Sequence, residues 1–147
     1  MDYHQDFADL CSLLNAKGID YLIIGGYAVA FHGAPRFTGN LDILIAPSVD
    51  QVNRTLETLR EFGFPTDDVN TEYLLVHHKI LQLGRVPVQV HVMTDISGVS
   101  WSVAWESRQR GNYGDVPAHF IGREALVANK RAAGRAKELA DVEALGG

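Results

Sequence analysis

Cysteine is almost missing from this chain, with Cys11 standing alone among 147 residues. A single thiol closes no intramolecular disulfide and builds no cysteine zinc cluster, and the apolar side of a helical pattern around it marks a packed core thiol. A basic excess is missing as well, since 13 Lys and Arg face 18 Asp and Glu for a net charge of -5. That balance offers no overall basic field to nucleic acid or anionic lipid and leaves room only for a local basic patch. No apolar run approaches the roughly 20 residues that a membrane helix needs. The N-terminus carries Asp2 and Asp6 where a leader peptide carries basic residues. The expectation is a soluble, cytoplasmic protein without membrane association. Repeats, linkers and low-complexity tracts are also missing, so the chain reads as one domain over residues 1–147, a size that buries roughly two-thirds of the unfolded surface.

What is present is a set of short periodic segments. Phe7, Leu10, Cys11 and Leu14 fall at i, i+3, i+4 and i+7, which predicts a helix over 3–17 stopped by Lys17-Gly18. Tyr21-Leu22-Ile23-Ile24 is apolar without alternation, the mark of a strand covered on both faces. It runs into Gly25-Gly26 and a short helix over 27–31. A strand over 41–45 stops at Ala46-Pro47, and Ser48 with Gln51 has the form of a capping box. The helix that follows directs Val49, Val52, Leu56, Leu59 and Phe62 inward and stops at Gly63. Pro65 and Asp67-Asp68 mark a loop, and 73–76 reads as a strand or a helix turn. Strands over 79–83 and 86–93 with a turn at Gly84-Arg85 place His91 on the less apolar face beside Gln89. A helix over 102–108, a strand over 116–121 and two helices about the break at Gly134 complete the pattern.

Two features point to chemistry. A strand that ends in paired glycines and opens a helix leaves backbone N–H groups free to approach a phosphate. The next strand then offers Asn40 and Asp42, two apart and on one face, where side chains converge on a single ion. Two-metal phosphoryl chemistry requires such a pair plus a third oxygen ligand from a neighbouring strand.

The stretch IIGGYAVAFHGAPRFTGNLDILI resembles the opening signature of the nucleotidyltransferase superfamily, the polymerase-beta-like fold, in which a glycine turn precedes an acid-x-acid strand. VPVQVHVMTDISGVSWSVAW and ALVANKRAAGRAKELADVEAL are similar to later segments of small bacterial members, including those related to abortive-infection and toxin-antitoxin proteins. The resemblance implies an α/β (α+β) nucleotidyltransferase fold with a central mixed sheet of about four to five strands flanked by helices. It implies a turn at Gly25 and Gly26 that holds the triphosphate of an NTP, two strand acids that bind Mg2+ or Mn2+, and a third acid that helps activate an acceptor hydroxyl. Asp42 matches the second acid, but Asn40 stands at the first and His91 at the third. Asp95, on the face of His91, lies past the expected strand end.

Two magnesium ions bring four positive charges, and Asn40, Asp42 and a neutral His91 answer with one negative charge instead of three. A unit charge pair at about 4 Å and an effective dielectric near 20 is worth about 4 kcal/mol gross, so metal affinity is expected to fall by orders of magnitude. An amide oxygen still ligates a hard cation weakly, and an imidazole favours transition metals. His91 is also a candidate general base, against the plainer reading of a hydrogen-bonded histidine in a vestigial pocket. Arg36 and Thr38 either face a triphosphate or order their loop. Lys130, with Arg131, either walls a phosphate tail or complements a helix dipole. His77 and His78 face opposite ways on a strand and read as solvated surface, while Trp101 and Trp105 read as packed aromatics.

The leading expectation is a nucleotidyltransferase-like protein with a degenerate site at Asn40, Asp42 and His91, impaired or inactive in NMP transfer yet able to bind a nucleotide. One alternative is an active enzyme using a non-standard metal site and an unknown acceptor. The other is a non-enzymatic module that binds a partner protein in a toxin-antitoxin-like system.

Overall fold

The computed structural model describes residues 3–147, so Asp2 lies outside the described residues. Its centre is a six-stranded sheet in the order β3-β4-β2-β1-β6-β5. The strands are β1 (Tyr21–Ile24), β2 (Leu41–Ile45), β3 (Leu81–Arg85), β4 (Val88–Met93), β5 (Gln109–Tyr113) and β6 (Val116–Phe120). The pairs β1/β2, β3/β4 and β5/β6 are antiparallel, whereas β1/β6 and β2/β4 are parallel. The sheet is therefore mixed, as expected, with six strands in place of four to five.

Helices cover both faces, which explains why β1 shows no alternation in its apolar run. Tyr21 and Ile23 enter a core with α1 (Gln5–Ala16), α3 (Val49–Phe62) and α4 (Thr71–Leu75). Leu22 and Ile24 enter a second core with α2 (Gly25–Phe31), α5 (Trp101–Glu106), α6 (Arg123–Ala133) and α7 (Ala136–Ala144). Cys11 is buried, and burial pushes its thiol up to about 12 against a hydrogen bond with Tyr21, which leaves it protonated and inert. Among the described residues no helix is long and apolar enough to cross a membrane.

Several local expectations change in the folded chain. β5, absent from the expected pattern, is an edge strand whose Gln109, Arg110 and Asn112 are polar or exposed and whose anchor is the buried Tyr113. Its pairing with β6 across Gly114, at φ 61, does not require an apolar face of its own. The β3–β4 turn falls at Val86-Pro87, because Gly84 pairs with Gln89 inside the ladder while Pro87 has no N–H to give to one. Ser48 Oγ accepts from the Gln51 amide at 3.1 Å, but the Gln51 side chain accepts from the Asp20 amide at 2.8 Å, so the box forms only one half. Val49, expected inward, is 60% exposed, because the packed stretch of α3 begins at Val52.

The fully buried Ile43 of β2 and the exposed Val49 separate these roles by mutation. Ile43→Ala is expected to lower the unfolding free energy by about 2–5 kcal/mol. Val49→Ala is expected to change it by less than about 0.5 kcal/mol in the same urea titrations.

Candidate active site

The site forms where β1 gives way to α2. Gly25 adopts φ +68, a left-handed conformation open to glycine, and a Cβ there would collide with the Asp42 carboxylate. At Gly26 a Cβ would stand 2.6 Å from Thr38 Oγ1 and 3.3 Å from an Arg36 guanidinium nitrogen. Gly25 thus admits the Asp42 carboxylate, and Gly26 admits close approach of the loop over 36–39. Register completes the arrangement, since Ile24 pairs with Asp42 across β1/β2 and Asp42 pairs with His91 across β2/β4. Leu41 and Ile43 point into the first core, so strand alternation turns Asp42 toward the face occupied by Ile24, Leu44 and Met93.

Asn40, Asp42 and His91 are brought together and satisfy one another. The Asn40 amide nitrogen donates to Asp42 Oδ1, and His91 Nδ1 lies 3.0 Å from that same oxygen. Asn40 Nδ2 is 3.2 Å from His91 Nδ1. Burial pushes the Asp42 carboxyl above its ordinary value, opposed by the charge and hydrogen bond of His91 and by the charges of Lys130 and Lys137. His91 Nε2 is shut from solvent without a hydrogen-bond partner. Asp95 lies exposed beyond the end of β4. Among the described residues no three His, Cys, Asp or Glu side chains converge as a metal-binding group. The donor set does not fit two magnesium ions: one carboxylate is present, and one of its oxygens already meets two nitrogens.

A cavity of about 290 Å³ opens beside Asp42. Gly25, Gly26, Thr38 and Asn40 line one side, and Lys130, Arg135, Lys137 and Glu138 from the two C-terminal helices line the other. His91 does not line it, and its imidazole meets Asp42 through Nδ1 while Nε2 is shut from solvent. Thr38 Oγ1 donates to the Asn40 carbonyl at 3.2 Å. Arg36 and Lys130 both line the cavity, yet both are held by a residue that the sequence reading passed over, Asp141. Arg36 grips its carboxylate with two nitrogens at 2.9 and 3.0 Å, and Lys130 Nζ approaches Oδ2 at 3.0 Å. Arg131 instead donates to the Gly147 carbonyl.

Asp141 is 5% exposed. Burial pushes its carboxyl up, and the hydrogen bonds and charges of Arg36 and Lys130 outweigh that and bring it below the ordinary value. Arg135, Lys137 and Glu138 were missed with it. A signal existed, because Glu138, Asp141, Val142 and Leu145 fall at i, i+3, i+4 and i+7, which puts two acids on the buried stripe of an amphipathic helix. Arg135 is bonded to Glu138, whose Oε2 is buried without a partner, while Lys137 makes no ion pair among the described residues. Elsewhere, His77 and His78 are exposed, and Trp101 and Trp105 stack at 5.2 Å with Arg108 above the Trp105 ring at 3.9 Å.

Removing one member of a buried ion pair leaves its partners uncompensated, at about 3–5 kcal/mol. Asp141→Asn is expected to destabilise the chain on that scale, measured by denaturant unfolding. A carboxyl depressed by folding contributes stability in full above its unfolded value, about 3.9, and loses it as pH falls through the folded value. The acid limb of the stability curve is therefore expected to be shallower in Asp141→Asn than in the parent.

No protein-family model and no curated protein sequence matches the chain. Solved structures do. The lincomycin-bound crystal structure of the lincosamide antibiotic adenylyltransferase LnuA superposes with a TM-score of 0.62 at 13% identity, covering 97% of this chain and 96% of that one. An antigenic nucleotidyltransferase-like protein from Paracoccidioides brasiliensis superposes with a TM-score of 0.58 at 17% identity, covering 94% of this chain and 72% of that one. With the mixed sheet and the glycine turn over β2, these likenesses establish that the chain has the nucleotidyltransferase fold.

Proposed function

We propose that this chain binds a nucleoside triphosphate in the cavity between Gly25-Gly26 and the C-terminal helices, and that its capacity for two-metal nucleotidyl transfer is impaired or lost. The observation that supports this most is the closed contact of Asn40 and His91 with Asp42 Oδ1. Hydrogen-bond donors occupy the position from which a carboxylate oxygen would serve a divalent cation, and no second carboxylate stands beside it on β2 or β4. His91 engages that carboxylate through Nδ1, and its Nε2 is shut from solvent, which speaks against a general base for an acceptor hydroxyl in the cavity.

The remaining chemistry suits phosphate binding. Lys130, Arg135 and Lys137 face the space beside the glycine turn, and the turn leaves room for phosphate oxygens to approach the backbone. Arg36 and Lys130 contribute positive potential from fixed positions on Asp141, whereas Lys137 is free to move onto a ligand. ATP is the donor to test, because one structural neighbour is an adenylyltransferase.

Calorimetric titration with ATP is expected to show binding that changes little on adding Mg2+ or Mn2+, with no pyrophosphate released. Lys137→Ala is expected to weaken that binding about tenfold, or about 1.4 kcal/mol. The double substitution Asn40→Asp with His91→Asp is expected to make ATP binding Mg2+-dependent and at least tenfold tighter with the metal than without it. Steady pyrophosphate release by the parent protein would overturn the reading of an impaired site.

A further inference from the structure

A second and larger cavity, of about 540 Å³, lies across the loop over 36–39 from the phosphate cavity. Arg36, Phe37, Thr38 and Gly39 line both spaces, so this loop is a wall between them. We infer that the larger cavity binds a ring-bearing, largely apolar small molecule, held beside the nucleotide cavity and not inside it.

The first ground is the placement of apolar surface. Among the described residues nine large hydrophobic side chains are exposed, and three of them, Phe37 at 85%, Val86 at 67% and Tyr3 at 46%, line this one space. Phe37 and Val86 come from different parts of the chain, the loop before β2 and the β3–β4 turn. Exposed apolar groups scattered singly call for no explanation, but several facing one concave space mark a binding surface. A ring seated between them would take these faces out of water together.

The second ground is a fixed aromatic floor. Tyr27 and Tyr3 both lie edge-to-face on the buried Tyr113, with centroids 5.0 and 5.9 Å apart and interplanar angles of 84°. Tyr113 also accepts a hydrogen bond from the His4 amide at 2.9 Å, which ties the start of α1 to the same floor. Such a floor is organised before any ligand arrives, and immobilising a ring against it orders few protein side chains.

The third ground selects the ligand. Three polar side-chain groups of the wall are already committed: the Arg36 guanidinium to Asp141 and the Phe37 carbonyl, Thr38 Oγ1 to the Asn40 carbonyl, and His4 Nδ1 to the Asp6 amide. A nucleobase, with several donors and acceptors on its edges, would find few free partners here, and each edge group that loses water without one is penalised. An apolar ring system needs no such partners. The volume falls in the range of about 300–1,000 Å³ typical of pockets for drug-sized ligands, larger than a single base requires.

Titration calorimetry with 2-naphthol, a hydroxyl-bearing bicyclic aromatic, tests the assignment on the whole chain. The parent is expected to bind it, Phe37→Ala and Val86→Ala are each expected to weaken binding at least fivefold, and Val103→Ala, exposed but outside the cavity, is expected to leave it unchanged. Phe37 and Val86 are exposed, so unfolding curves of these variants are expected to match the parent's. Saturating ATP is expected not to displace the naphthol. No binding at millimolar naphthol, or binding indifferent to both substitutions, would overturn the assignment, and displacement by ATP would make this the nucleobase site. Because naphthol is titrated with and without ATP, a failure of ATP to bind sinks the nucleotide proposal and leaves this one standing.

Discussion

The layout of both cavities depends on one buried carboxylate. Asp141, on α7, holds Lys130 from α6 and Arg36 from the loop before β2, so the last two helices and a loop far back in the sequence meet at a single charge. Taking that charge out of water is expensive, and only close, multiply bonded cations compensate it. The compensation fixes the start of the 36–39 loop, and with it the height of the wall above the glycine turn. Without Asp141, Arg36 and Lys130 would face the same space as uncompensated like charges.

A similar logic runs through Asn40, Asp42 and His91. Strand alternation sends Asp42 into a face otherwise built from Ile24, Leu44 and Met93, where a lone carboxylate is penalised. A second acid at 40 or 91 would add repulsion unless cations were bound there. An amide and an imidazole instead supply donors, so the chain stabilises its one carboxylate from within. Asn40 and His91 thus belong together, since each supplies a nitrogen to the same Asp42 oxygen.

Much of this architecture is legible in the sequence where the signal is local. The unalternating run at Tyr21–Ile24, the strand Leu41–Ile45 and the break at Gly134 between α6 and α7 all stand where the pattern places them. The glycine pair and the spacing of Asn40 and Asp42 likewise needed only neighbouring residues to be seen. What escaped depends on partners far along the chain. β5 is a strand because β6 lies beside it, with little apolar pattern of its own. Asp141 falls on a stripe that its helix pattern marks as buried, but the cation that stabilises it there, Arg36, stands 105 positions away. The exposure of Val49 and the shift of the β3–β4 turn to Pro87 are smaller cases, in which tertiary packing and a missing N–H overrule periodicity.

The wall shared by the two cavities carries a thermodynamic consequence. Any displacement of residues 36–39 forced by an occupant on one side alters the shape of the other side, since the same four residues face both. Linkage then makes the effect symmetric: whatever factor a ligand in the aromatic space imposes on the affinity for a phosphate compound, that compound imposes in return. With ligands in both spaces, a loop pinned at Arg36 while Phe37 projects into solvent would be the point through which the two equilibria communicate.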